Sequence, residues 1–197
     1  MRRGKTFILC GPSGVGKGTV VARLLASNPT LYFSVSATTR LPRPGEQDGV
    51  HYHFLSREQF QQWIDEDAFL EHAEFVGNCY GTPKLYVDRA MEQGRDVILD
   101  IEIQGADQVH RKRPEAVRIY VAPPSWAELE RRLIGRGTEN MDKVRSRLAR
   151  GREEFAAAKN FDYFVINDTV DRAVAEISAI MCAEHCRPDE RIAMIDQ

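Results

Sequence analysis

The stretch Thr6-Phe7-Ile8-Leu9-Cys10, running directly into Gly11-Pro12-Ser13-Gly14-Val15-Gly16-Lys17-Gly18-Thr19, is a short apolar run that opens into a glycine-rich loop. The run reads as a buried strand, and the residues after the loop read as a helix. Glycines at 11, 14 and 16 let consecutive backbone N–H groups turn inward onto phosphate oxygens. Lys17 adds a mobile ammonium charge, and the following helix aims its positive end at the same anion. The loop is therefore predicted to bind a nucleoside triphosphate through all nine of its residues. One position departs from the pattern G-x-x-x-x-G-K-[ST]: Gly18 stands where a hydroxyl residue normally reaches Mg²⁺, and Thr19 follows one step later.

Further runs, Val97 to Ile101, Val117 to Val121 and Tyr163 to Ile166, are short, apolar and rich in β-branched or aromatic residues, with helical stretches between them. Strands alternating with helices predict an α/β fold whose parallel sheet is covered by helices on both faces. Ser125-Trp126-Ala127-Glu128 and Ser56-Arg57-Glu58-Gln59 have the capping-box pattern, and Asp168 is placed to cap the last helix. Val170, Val174, Ile177 and Met181 share one face of that helix and read as core.

Between residues 37 and 84 the alternation gives way to the turn-rich Arg40-Leu41-Pro42-Arg43-Pro44-Gly45 and then to strand-like runs at Val50 to Leu55 and Phe69 to Val76. This predicts an inserted subdomain of antiparallel strands. Gly135-Arg136-Gly137-Thr138-Glu139-Asn140 interrupts two helical runs and reads as a lid hinge, with both glycines as flexing points. The division expected is one domain over 1–197: a core of 1–36, 85–134 and 148–197, the insert at 37–84 and a lid at 135–147.

The chain has 197 residues, enough for one domain with a real core. Its 27 Lys and Arg against 29 Asp and Glu call for neither nucleic acid nor a membrane surface. The few apolar residues between Met1 and Gly11 make neither a signal peptide nor a spanning helix, so the four cysteines are expected to be reduced in a cytoplasmic protein. His51 and His53 share one side of the expected strand, and Cys182, His185 and Cys186 cluster late in the last helix. Neither group has the ligand count of a metal site.

A phosphate loop identifies only a donor, so the acceptor must be read elsewhere. Arg40 and Arg43 lie three apart in a proline-stiffened segment, and guanidinium forks grip a phosphate dianion bidentately. Tyr52 and Tyr80 can offer hydroxyls to the same anion.

The segments GPSGVGKGT, SVSATTRLPRPGE, DGVHYHF, FLEHAEF, GNCYGTP, DIEIQGA, RGRGTE and VINDT, in this order from residue 11 to 169, make nearly the whole chain resemble the guanylate kinases. The resemblance implies a P-loop NTPase-like core with a GMP-binding subdomain and a lid, and ATP-dependent phosphorylation of GMP or dGMP in purine metabolism. It implies guanine recognition at Ser36, Glu71, Thr82, Asp100 and Glu102, and GMP-phosphate binding at Arg40, Arg43, Tyr52 and Tyr80. By the same likeness Lys17, Arg136, Arg147 and Arg40 carry catalysis, with Arg136 also on ATP and Asn167 beside the ATP base.

Guanine presents a ring N–H and an exocyclic NH₂ side by side, a match for a carboxylate such as Glu71, and hydroxyls at Ser36 and Thr82 can donate to its 6-oxo group. Mg²⁺ is expected to ride mainly on ATP oxygens and water, with Thr19 and Asp100 in outer-shell roles. Asp100 is thus open to either a base-side or a metal-side role. His72 and Ile103 stand where the family often has bulkier residues, and Thr169 replaces an acid. Two other readings use the same core, a sugar-bisphosphate kinase and a non-catalytic phosphopeptide-binding module. The full guanine-side set disfavours the first, and Lys17 with Arg136 disfavours the second. Further copies of the chain as partners are left open.

Overall fold

The structure, a computed structural model, describes residues 2–135, 141–188 and 191–192. The chain falls into two compact units, Met1–Ile8 with Pro29–Val117, and Leu9–Asn28 with Arg118–Gln197. The fold is mixed α/β, with a parallel sheet and a second, separate sheet.

In the first unit, the start of β1 (Thr6–Cys10), β2 (Tyr32–Phe33) and β7 (Val97–Asp100) follow one another in the order β2-β7-β1. β2 pairs parallel with β7, with Tyr32 opposite Val97 and Phe33 opposite Ile98. Every residue of β1 is buried, as a strand covered on both faces requires. The second sheet holds β3 (Ala37–Thr38), β4 (His53–Phe54), β5 (Phe69–Phe75) and β6 (Asn78–Pro83) in the order β4-β3-β6-β5. Ala37, Phe60 and Phe69 form its core, with Leu55, Trp63, Ile64 and Cys79 packed around them. Helices α2 (Arg57–Asp65), α3 (Lys84–Glu92) and α4 (Ile103–Lys112) complete the unit.

Two expectations for the insert need correction. The strand expected over Val50 to Leu55 shrinks to His53–Phe54, because His51 lies in a turn, its Nδ1 accepting from the Gln47 N–H at 3.0 Å. His51 and His53 therefore do not share a strand face, and His53 stacks on Tyr86 instead. Nor is the sheet wholly antiparallel: β3 runs antiparallel to β6 but parallel to β4. The strand expected over Phe69 to Val76 runs Phe69–Phe75 and is one half of a hairpin whose other half, β6, has no clear alternation of its own. The hairpin turns on Val76 (φ 49°) and Gly77 (φ 72°), and positive φ at both central residues is what a two-residue turn of this hand demands.

In the second unit the order is β1-β8-β9, with β8 (Val117–Ala122) parallel to β9 (Tyr163–Ile166). Helices α1 (Lys17–Ser27), α5 (Trp126–Gly135), α6 (Met141–Ala157) and α7 (Val170–Glu184) accompany them. Ser125 and Ser56 cap α5 and α2 as their sequence patterns require, the second as a complete reciprocal box with Gln59. The cap of α7 is Thr169, not Asp168: the Thr169 hydroxyl accepts from the Arg172 N–H, while the Asp168 carboxylate turns to the Arg172 guanidinium at 2.9 Å. The buried line of α7 runs through Ala173, Ile177, Met181 and Glu184, so Val170 and Val174 flank the core face rather than define it.

Candidate functional site

The residues expected to bind nucleotide lie in two sets, one in each unit. In the second unit, β1 ends at Cys10 and the chain turns through the loop before α1 begins at Lys17. Gly16 occupies the N-cap position at φ 99°, a left-handed conformation that disfavours any side chain. A Cβ there would also come within 2.7 Å of Asn167 Nδ2. Gly18 falls inside the first turn of α1, and an added Cβ would meet nothing within 4 Å, so no steric demand places glycine there.

Lys17 Nζ donates to the Gly11 carbonyl at 2.8 Å, bending the ammonium back along the loop it serves. Arg147, on α6, donates to the Ser13 hydroxyl at 3.1 Å. Asn167 is 2% exposed, and its amide donates to the Val15 carbonyl at 2.8 Å. Its Oδ1 is buried with no hydrogen-bond partner among the described residues, a costly state that a donor from a ligand would relieve. Beside Asn167 opens a cleft of about 350 Å³ lined also by Gly14, Gly16, Thr19, Arg132, Gly135, Asp168 and Val170.

Arg132 is a residue that motif reading passed over. Its guanidinium donates to the carbonyls of Val15 and Asn167, each at 3.1 Å, and to Glu128 at 2.8 Å. It thereby ties the loop to the segment after β9. Hydrogen bonds from Arg131 and Arg132 hold the Glu128 carboxyl at about 2. The only sequence signal was the i, i+4 spacing of Glu128 and Arg132. Arg136, assigned to catalysis and ATP, lies outside the described residues, as does the whole interval 136–140 between α5 and α6, which holds the expected hinge after Gly135.

In the first unit, Glu71 is buried on β5 at 7% exposure, opposite Thr82 of β6. A register shift between Phe69 and Glu71 leaves Leu70 as the extra residue, and a bulge of this kind re-aims the side chains beside it. The Thr82 hydroxyl donates to Glu71 Oε1 at 2.6 Å. That commits its single proton to the carboxylate here, and the bond orients Glu71. Burial pushes the Glu71 carboxyl above its ordinary range, opposed by the Thr82 hydrogen bonds and reinforced by the charge of Glu102. Glu102 is the N-cap of α4, and Asp100 ends β7. Ser36 precedes β3, its carbonyl accepting from the His53 N–H at 2.9 Å.

Arg40 grips Glu46 bidentately, both N···O distances 2.9 Å, and stands 5.3 Å from the Tyr52 ring centre. Tyr52 and Tyr80 meet edge to face at 6.1 Å. The Glu46 carboxylate also accepts from the Arg43 N–H at 2.7 Å. The Arg40 hydrogen bond, first among these contacts, holds the Glu46 carboxyl at about 2. Glu46 therefore organises the arginine turn, a role that six residues of separation without a periodic pattern gave no reason to suspect. Among the described residues no three His, Cys, Asp or Glu side chains group as a metal site, and no helix is long and apolar enough to cross a membrane.

Comparison with known proteins identifies the family and the fold. The sequence pattern of the guanylate kinase family matches residues 3–184. The chain is 51% identical to the guanylate kinase of Parasynechococcus marenigrum over 90% of this chain and 98% of that one. It is 48% identical to that of Halalkalibacterium halodurans, over 99% and 96%. The crystal structure of guanylate kinase from Anaplasma phagocytophilum superposes with a TM-score of 0.75 at 30% identity, covering 95% of this chain and 89% of that one. With family pattern, close relatives and solved fold in agreement over nearly its whole length, the chain belongs to the guanylate kinase family and is a nucleotide-binding transferase, a kinase.

Proposed function

We propose that this kinase transfers the γ-phosphoryl group of ATP to GMP or dGMP, yielding ADP and GDP or dGDP. The observation that carries the reading is the buried Glu71 carboxylate, oriented by the Thr82 hydroxyl, in the same unit as the Arg40, Arg43, Tyr52 and Tyr80 set. Guanine N1–H and its 2-amino group are paired donors for that carboxylate. Adenine presents a bare ring nitrogen there, leaving a buried acceptor unpaired at a cost of roughly 1–3 kcal/mol. The arginines and tyrosines take the 5′-phosphate, with Ser36, Asp100 and Glu102 completing the base side.

On the donor side, the loop amides and Lys17 hold the ATP phosphates. The unpartnered Asn167 Oδ1 is an acceptor suited to the adenine 6-amino group and unsuited to the 6-oxo group of guanine. The attacking group is a phosphate oxygen whose second pKa, about 6, leaves it mostly dianionic at neutral pH, so no general base is needed. What catalysis requires is positive charge: Lys17, Arg136 and Arg147 stabilise charge moving toward the leaving β-phosphate. Arg40 steadies the acceptor phosphate.

Mg²⁺ fits this site only as a passenger on phosphate. Gly18 offers no hydroxyl, and this reading gives outer-shell roles to Thr19, which is exposed and lines the cleft, and to Asp100. When bound, the ion would neutralise the β- and γ-phosphate oxygens. The reading assigns residues 37–84 to acceptor binding, 135–147 to a lid and the remainder to the core, in a cytoplasmic enzyme. A coupled assay of ADP release across GMP, dGMP, AMP, CMP and UMP with Mg²⁺ tests it. Turnover confined to the guanine nucleotides is expected, and comparable turnover of AMP or none with GMP would refute it.

A further inference from the structure

Glu71 sits on β5, the outer strand of the second sheet, where nothing in the sheet holds the outward-facing backbone. Helix α4 takes that place. The Gln108 carboxamide accepts from the His72 N–H at 3.2 Å and donates to the His72 carbonyl at 3.0 Å, filling both positions that a further strand would fill. One turn on, Lys112 donates to the Phe69 carbonyl at 2.8 Å. One turn back, Gly105 lies directly against Glu71: a Cβ there would come 2.9 Å from Oε2, 3.2 Å from Cδ and 3.3 Å from Cγ. Residues 105, 108 and 112 share one helix face, so the helix follows β5 along the bulged segment that aims Glu71.

Glycine inside a helix is less favourable than alanine, and here that cost has a spatial reason. A side chain at 105 would press on the Glu71 carboxylate and shift it from its position opposite Thr82. The Gln108 contacts have an equally specific consequence, because they fix the backbone of the residue next to Glu71.

We propose that Gly105 and Gln108 are positioning residues that set acceptor-base specificity, acting through Glu71 without touching the nucleotide. The proposal rests on the reading that Glu71 recognises guanine. Its test compares Gly105→Ala, Gln108→Leu and Glu71→Gln, singly and with each of the first two combined with the third, in the full chain with GMP and with AMP at saturating ATP.

For Gly105→Ala and Gln108→Leu the KM for GMP should rise about tenfold, with the KM for ATP unchanged and the preference for GMP over AMP reduced. In the Glu71→Gln background neither substitution should add a further effect, since each works through the missing carboxylate. Because Gly105 is buried, Gln108→Leu, at a half-buried position, carries the test should Gly105→Ala fail to fold. An unchanged KM for GMP in Gln108→Leu, or losses that add fully to those of Glu71→Gln, would overturn the proposal while leaving guanine recognition intact. A Glu71→Gln variant with unchanged GMP kinetics would overturn both.

Discussion

Replacing Thr82 by valine keeps the side chain's volume and removes one hydroxyl, the donor to Glu71 Oε1 at 2.6 Å, at a position 1% exposed. A hydrogen bond to a charged group contributes about 1.5–3 kcal/mol, and a buried carboxylate that loses it keeps its desolvation cost. The variant should therefore be about 2 kcal/mol less stable at pH 8, a fall in Tm of roughly 4–8 °C for a chain of this size.

The effect has a pH signature. Burial raises the Glu71 carboxyl, so the folded state holds that proton more tightly than the unfolded chain does. Lowering the pH through the raised value neutralises the buried charge, and this group then adds stability as pH falls. The loss caused by Thr82→Val should shrink at pH 5, where the escape by protonation is easier. Urea unfolding at pH 8 and pH 5, monitored by Trp63 and Trp126 fluorescence, reads both numbers. In parallel, kcat/KM for GMP should fall about tenfold with the KM for ATP unchanged, as expected for a lost orienting contact. An equal destabilisation at the two pH values, or none at either, would refute the assignment of the Thr82 proton to Glu71.

Three further outcomes follow from the same geometry. Val76 is 80% exposed and β-branched at φ 49°, so Val76→Asn should stabilise the protein by about 1 kcal/mol in urea unfolding without touching activity, and destabilisation would count against a left-handed turn residue there. Gly18→Ser introduces a hydroxyl into open space at a position where serine is also the better helix former; in the proposed reaction the Mg²⁺ concentration for half-maximal rate should fall several-fold, and an unchanged requirement would place the ion elsewhere. In the proposed reaction GMP is recognised by an ionised Glu71, so its KM should climb as pH falls through the raised Glu71 value. The Glu71→Gln variant should lack that limb of the profile, and identical profiles would remove Glu71 from base recognition.

Features held by near neighbours were legible in the residues alone. The strand that opens into the glycine loop, the Ser56 and Ser125 caps, and the alternation of apolar runs with helices depend on φ preferences and on contacts within a few positions. The parallel sheet and the second sheet could be expected for that reason. The cap of α7 failed at the same scale, because Asp168 and Thr169 both carry capping oxygens and the ion pair of Asp168 with Arg172 decides between them. In the insert, the parallel pairing of β3 with β4 depended on how the intervening turn folds back, which no periodicity records.

What only the tertiary structure decided are pairings across long separations. Thr82 meets Glu71 eleven positions away, Gln108 reaches His72 across 36, and Asn167 reaches Val15 across 152. Residue types can say that a carboxylate, a hydroxyl and an amide are present. Which proton is committed to which acceptor, and which acceptor is left buried and unpaired, depends on the chain closing those separations. The phosphate loop at Gly11 to Thr19 announced itself because its chemistry is local, whereas the orientation of Glu71 is a property of packing.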